Sequence, residues 1–267
     1  MSLLEVRDLV VMFGDKRVVD GISFDLEAGS RLGIIGESGS GKTLTTLAIM
    51  GLLPDTATVS GSIRFEGQEL LERTDVQMSS LRGNRMGMVF QEPLTSLNPL
   101  MRVGKQIAMP LKIHRGMPIK EGLAVALQLC ETVGLPDPER IIRSYPHQMS
   151  GGQRQRIGLA IALACDPVLL IADEPTTALD VTVQKEVLKL MNDLVASRGS
   201  SLIFVSHDLP VIATMTESVL VMNTGAIVEH ANVGELFANP RHDYSKKLIA
   251  TAQHADALFT TFRAGTP

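Results

Sequence analysis

The segment Gly36-Glu37-Ser38-Gly39-Ser40-Gly41-Lys42-Thr43 has the spacing G-x-x-x-x-G-K-T. Glycines so spaced let a backbone curl until several N–H groups face one set of phosphate oxygens, and a helix starting at the lysine adds its positive end. In such a loop Lys42 reaches the β- and γ-phosphates and the Thr43 hydroxyl holds Mg²⁺. A flexible Gly/Ser turn with an exposed lysine is the bland alternative. The apolar run before the loop and the helical pattern after it argue against that. A nucleoside triphosphate is the expected ligand.

The second constellation is Asp173-Glu174, reached directly from the apolar run Val168–Ala172. A carboxylate at the tip of a buried strand beside a phosphate loop suits Mg²⁺, and the adjacent Glu174 would then orient and deprotonate water. On its own an Asp-Glu pair is as often an ordinary solvated surface. Gln91 follows the run Met86–Phe90, and His207 follows Leu202–Ser206. Ligands of open α/β sheets bind at the carboxyl ends of strands, so the phosphate loop, Gln91, Asp173-Glu174 and His207 are expected to converge on one cleft. A lone His is more often structural or a helix cap, and a lone Gln more often surface; the shared placement at strand ends is what raises them.

Ser150-Gly151-Gly152-Gln153 opens a third candidate, a helix continuing through Arg154–Ala164. Ser is a strong N-cap, and two glycines leave the helix start bare for an anion. The chain has only one phosphate loop. A second anion-binding helix therefore points to a nucleotide held mainly by another subunit, with a plainly capped helix as the local alternative.

These residues need a scaffold that presents strand ends. Arg31–Ile35, Met86–Phe90, Val168–Ala172, Leu202–Ser206 and Val219–Met222 lack alternation and are rich in Ile, Val and Leu, as buried parallel strands are. Helical periodicity runs through Leu44, Leu47, Ala48 and Gly51 until Pro54, through Ile157, Ala160, Ile161 and Ala164, and from Val181 to Val195. Strands alternating with helices predict an α/β sheet. The first 30 residues and Gly61–Leu70 instead alternate like an antiparallel layer, and about Glu92 to Tyr145 reads as an inserted helical region with Pro breaks. Asn223-Thr224-Gly225 predicts a hairpin turn, and the last 30 residues read as a short tail.

Composition narrows the class. With 267 residues, 45% hydrophobic, the chain can build an ordinary core without staples. A net charge of −4 advertises no basic face, so nucleic acid is not the expected partner. Cys130 and Cys165 form no disulfide framework and no metal-ligand spacing, which fits a reducing compartment. No apolar run approaches the roughly 20 residues that cross a bilayer, and the N-terminus lacks the layout of a signal peptide. A soluble cytoplasmic chain is expected, meeting membranes only through a partner.

Taken in order, Gly36–Thr43, Gln91, Ser150-Gly151-Gly152-Gln153, Asp173-Glu174, Ala178-Leu179-Asp180 and His207 resemble the ATP-binding subunit of an ABC transporter, over about residues 3 to 250. The resemblance implies an α/β, P-loop NTPase (RecA-like) core with an antiparallel β layer and an inserted α-helical subdomain. It implies an ATP-binding domain at 1–236, with its core at about 1–91 and 159–236, the helical subdomain at about 92–158, and a short C-terminal tail at 237–267. Phe13 matches the family's adenine-stacking aromatic residue, and Gln91 the glutamine that senses Mg²⁺ and water. Ser150, Gly151, Gly152 and Gln153 match the signature that contacts the partner subunit's ATP; Met149 stands where Leu is most common. Asp180 matches the aspartate that crosses the dimer interface, His207 the histidine on the γ-phosphate, and Glu174 the base.

A narrower resemblance, to peptide/nickel importers, lies in Phe90–Pro99, in Ala172–Gln184, and in Asn239–Ser245, where Asp243 replaces the usual Pro. No cysteine follows Cys165, so peptide, nickel and metal–chelate cargo all stay open. The resemblance implies MgATP, two transmembrane permease subunits, a second ATP-binding subunit (identical or homologous) and an extracytoplasmic solute-binding protein. It implies a peripheral position on the cytoplasmic face of a bacterial or archaeal membrane. The alternatives are a non-transport ABC ATPase, in phosphonate metabolism or in nucleic-acid or translation work, and an exporter.

Overall fold

A computed structural model describes residues 2–91, 96–177 and 179–255. Glu92, Pro93, Leu94 and Thr95, Ala178, and the last twelve residues of the expected tail lie outside the described residues. In chain order the strands are β1 (Ser2–Phe13), β2 (Lys16–Glu27), β3 (Arg31–Ile35), β4 (Ala57–Phe65), β5 (Gln68–Glu69), β6 (Met86–Val89), β7 (Leu169–Asp173), β8 (Ser201–Ser206), β9 (Ser218–Asn223) and β10 (Ala226–Asn232). The helices are α1 (Lys42–Met50), α2 (Asp75–Leu81), α3 (Val103–Arg115), α4 (Ile119–Thr132), α5 (Pro138–Arg143), α6 (Gly151–Ala162), α7 (Val181–Arg198), α8 (Leu209–Met215), α9 (Val233–Ala238) and α10 (Asp243–Ala255). The chain divides into two compact units, one made of residues up to 73 and from 203 onward, the other of residues 74–202.

In the first unit an antiparallel sheet runs β2-β1-β4-β5. Its strands alternate as the sequence predicts. Leu4, Val6, Leu9 and Val11 of β1 are fully buried while polar neighbours face out. The same unit holds β10, β9, β3 and residues 203–206 of β8, adjacent in that order. β3 and β9 pair in parallel from Leu32↔Ser218 to Ile35↔Val221. β9 and β10 form the expected hairpin: Thr224 and Gly225 both take positive φ, 46° and 87°, the backbone a two-residue hairpin turn requires.

The second unit pairs β6 and β7 in parallel, Met86↔Leu169 to Val89↔Ala172, and packs α3, α4 and α5 around Ile107, Ala126, Leu129 and Ile141. Prolines act here less simply than as breaks. Pro118 is the N-cap of α4 and Pro138 starts α5, where a missing N–H costs nothing, yet α3 runs through Pro110. Both thiols are buried and free, and burial, with Glu131 adding, pushes Cys130 up to about 12.

Part of the expected tail is ordered helix. α10 packs on α8 and β10, burying Ser245 and Ile249. The approach to α10 is fixed by Glu229 of β10, only 8% exposed, whose two carboxylate oxygens accept the N–H of Arg241 at 2.9 Å and of His242 at 3.0 Å. Burial raises the Glu229 carboxyl; the Ser245 side chain, the two N–H donors and the Arg241 charge outweigh it and hold the group below its usual range. A depressed folded-state pKa stabilises above the unfolded value and is lost as pH falls through the folded one. Glu229→Gln is therefore expected to cost about 1–3 kcal/mol at neutral pH, with the gap to wild type closing below the carboxylate range. Denaturant melts of both chains at pH 7 and in acid check this, with a gap that persists in acid as the contrary result.

Candidate functional site

The phosphate-loop candidate begins where β3 ends. Because Ile35 lies opposite Val221, the next residue comes against the carbonyl of Met222. A Cβ at Gly36 would stand 2.2 Å from that oxygen and 2.7 Å from Ser40 Oγ, so only glycine fits. The loop then curls through Gly39 and Gly41 at positive φ, 80° and 101°. The Gly225 N–H donates to the Ser40 carbonyl at 3.2 Å, so the β9–β10 hairpin holds the loop from outside. The Lys42 ammonium, 5% exposed, donates to the carbonyls of Gly36 at 2.8 Å and Glu37 at 2.9 Å. It closes across its own loop. Thr43 is exposed on the first turn of α1.

Two more candidates belong to this unit. His207 is exposed at the end of β8, the strand beside β3, and Asp208 after it caps α8 by accepting the Val211 N–H. Phe13 ends β1, half-buried, opposite Lys16 and Ala57.

The remaining candidates belong to the second unit. Asp173 is the last residue of β7 rather than the first after it, and is 3% exposed. Glu174 adopts φ 44°, a strained value for a non-glycine residue, which turns the chain sharply at the strand tip. Its Oε2 accepts from Gln91 Nε2 at 3.1 Å and from Thr177 Oγ1 at 3.1 Å. Gln91 and Glu174, 83 residues apart in sequence, are thus in direct contact. Two donors on one oxygen fix the carboxylate's orientation.

Ser150 is the N-cap of α6 and forms a capping box: its Oγ accepts the Gln153 N–H at 3.3 Å, and Gln153 Oε1 accepts the Ser150 N–H at 3.0 Å. Asp180 caps α7, accepting from the N–H groups of Thr182 at 3.1 Å and Val183 at 3.0 Å. The two helix starts lie together, since a Cβ at Gly152 would come within 2.6 Å of Val183 Cγ1. Arg156 ties α6 to α7 through Glu186 at 2.8 Å and to the end of α4 through the Val133 carbonyl at 3.0 Å.

The structure thus joins Gln91 with Glu174, and the Ser150–Gln153 helix start with the one capped by Asp180. It adds residues that the sequence reading did not single out. Thr177 was legible as a hydroxyl three positions after Glu174 in a turn. Met222 carries no chemical signature, and Gly225 was legible only as part of a hairpin turn; their place around the loop follows from the β3–β9 register and the Gly225 hydrogen bond.

The G-x-x-x-x-G-K-T loop between a buried strand and a helix defines a P-loop nucleotide-binding protein of α/β class. Residues 19–177 match the family described as ABC transporter. The chain is 49% identical over 253 residues to a probable peptide ABC transporter ATP-binding protein, y4tR, of Sinorhizobium fredii, covering 92% of this chain and 76% of that one. It is 47% identical over 255 residues to the oligopeptide transport ATP-binding protein OppD of Bacillus subtilis, covering 93% and 71%. Among solved structures it is similar to a dimeric post-hydrolysis state of the ATP-binding cassette MJ0796 bound to ADP and Pi, with TM-score 0.77 and 26% identity over 86% of this chain and 98% of that one. The chain belongs to the ABC transporter family, as an ATP-binding subunit. It is an ATPase, turning ATP and water into ADP and phosphate in step with solute transport.

The contact at Gly36 yields a direct check. Gly36→Ala is expected to displace the loop from Met222 and weaken ATP binding by at least about tenfold, a cost on the order of 1.4 kcal/mol or more, while the far-ultraviolet circular dichroism stays that of the wild type. Unchanged affinity in a titration with ATP would contradict this reading of the loop.

Proposed function

We propose that this chain energises a membrane importer of peptides, working as one of two ATPase subunits on the cytoplasmic face of a bacterial or archaeal membrane. The observation that carries the cargo class is the identity of 47–49% to relatives named for peptide, dipeptide and oligopeptide transport. Nickel and metal–chelate cargo, open on the sequence, have no such support among them. Among the described residues no helix is long and apolar enough to cross a membrane; in this proposal permease subunits supply the path. The full assembly in this proposal holds two permeases, a second ATP-binding subunit and a solute-binding protein outside the membrane, with no nucleic acid.

In the proposed reaction, Ser38, Gly39, Ser40 and Gly41 offer backbone N–H groups to the phosphates and Lys42 leaves the Gly36 and Glu37 carbonyls to pair with them. Phe13 stacks on adenine, and His207 grips the γ-phosphate. Thr43 and Asp173 offer the hard oxygen donors that Mg²⁺ takes, Asp173 through water, and Gln91 senses the ion and its water; the ion would neutralise charge on the phosphates. Glu174 takes the proton from the attacking water, its carboxylate already aimed by Gln91 and Thr177. The Ser150–Gln153 helix start serves the partner subunit's ATP, and Asp180 crosses to that partner. Two subunits closing head to tail complete each site, and hydrolysis reopens them. The division into a core at 1–91 and 159–236, a helical subdomain at 92–158 and a tail from 237 belongs to the same proposal.

Coupling to the permeases runs through the Gln91–Met109 segment. Within that segment Leu100 is 88% exposed.

The test is gentle purification of the tagged chain from its native membranes. Two polytopic proteins, a related ATPase and a peptide-binding protein are the expected companions. Soluble enzymes or ribosomal proteins with no membrane partner would sink the transport reading. In the same preparation Glu174→Gln is expected to lower steady hydrolysis at least about 100-fold while ATP still binds, and hydrolysis at the wild-type rate would remove Glu174 as the base.

A further inference from the structure

The helix α10 reaches the phosphate loop. The Glu37 N–H donates to the phenol oxygen of Tyr244 at 3.0 Å, across 207 residues of sequence. The carbonyl of the same residue accepts from Lys42 Nζ at 2.9 Å and from the Ser40 N–H at 3.2 Å. Glu37 is therefore held on both of its peptide groups, one by the loop itself and one by α10. The phenol is in turn placed by a short strap. Glu229 accepts from the N–H groups of Arg241 and His242, the Tyr244 N–H donates to His242 Nδ1 at 3.1 Å, and Arg241 pairs with Glu235 at 2.5 Å. Burial raises the Tyr244 phenol above its ordinary range.

We propose that Tyr244 is a positioning residue for the phosphate loop, its phenol oxygen on the Glu37 N–H keeping the loop curled for ATP while Lys42 changes partners. The inference rests on reading residues 36–43 as the phosphate loop. Its physical basis is the exchange that nucleotide imposes. In the free chain the lysine braces the loop through the Gly36 and Glu37 carbonyls. When the ammonium shares its three protons with the phosphates that bracing weakens, and the Tyr244 bond, made from outside the loop, does not draw on those protons. The bond is therefore worth more with ATP bound than without it. By linkage ATP must then tighten the docking of α10 as much as α10 tightens ATP binding.

The experiment compares the full-length wild type, Tyr244→Phe and Lys42→Ala, by ATP titration calorimetry and steady-state hydrolysis. Phenylalanine keeps the ring and removes only the oxygen. Tyr244→Phe is expected to raise both the ATP Kd and KM about two- to tenfold, the range of one neutral hydrogen bond, with kcat at saturating ATP unchanged within about twofold. Deuterium uptake at the Glu37 amide should rise in the ATP-bound form of this variant. A purely structural role would instead lower kcat and the melting temperature together and leave KM in place, which overturns the proposal. Wild-type Kd and KM in Tyr244→Phe, with ATP binding lost in Lys42→Ala, would overturn it too while leaving the loop reading intact. Wild-type binding in Lys42→Ala would remove the loop reading and the proposal with it.

Discussion

Gly36 has no room for a side chain because the Met222 carbonyl stands where its Cβ would be. That single close approach organises the first unit. It requires β3 and β9 to pair in parallel at one register, since a slip of one residue would bring a different group against the loop. It brings the hairpin after β9 to the loop's outer side, where Gly225 takes the Ser40 carbonyl. The Ser40 carbonyl is thereby satisfied from outside the loop, while Lys42 closes across the loop itself. A loop held from behind loses little freedom when it binds, which is how a short glycine-rich segment becomes a precise receptor.

The second unit solves a different problem, orienting acids and helix starts. At the tip of β7 the chain accepts a left-handed residue, and the cost is offset by two hydrogen bonds onto the Glu174 carboxylate. The start of α6 is closed by a reciprocal Ser150–Gln153 box, and the start of α7 by Asp180. Polar side chains with defined partners keep single rotamers, and Arg156 locks the two helices to each other.

Much of this was legible in the sequence because the responsible physics is local. The five apolar runs are strands, with edges shifted by a residue or so: β7 includes Asp173, while Phe90 lies beyond β6 and is 39% exposed. The helical period in Val187, Leu188, Met191 and Leu194 is the buried face of α7. α1 ends at Gly51 in the left-handed region, three residues before the proline that was expected to stop it. What escaped is what depends on distant partners. α3 passes through Pro110 because α4, α5 and α6 pack against it. α10 is too polar to advertise itself, and is helical because Glu229 and the apolar contact of Ile249 seat it on β10 and α8. For the candidate site, motif spacing marked the candidate residues; the contacts of Thr177 and Tyr244, whose chemistry is generic, needed the fold.

The first unit is assembled from both ends of the chain, residues up to 73 and from 203 onward. Its antiparallel sheet, joining neighbours in sequence, has all its strands once residue 69 is made. The phosphate loop is written early and finished late: β9, Met222, Gly225 and Tyr244 all come from the last quarter of the chain. During synthesis the contacts that close this loop from outside come only after β9 and α10 are made, whereas residues 74–202 form a compact unit continuous in sequence. A product cut short before β9 lacks Met222, Gly225 and Tyr244, and with them every one of these outer contacts to the loop.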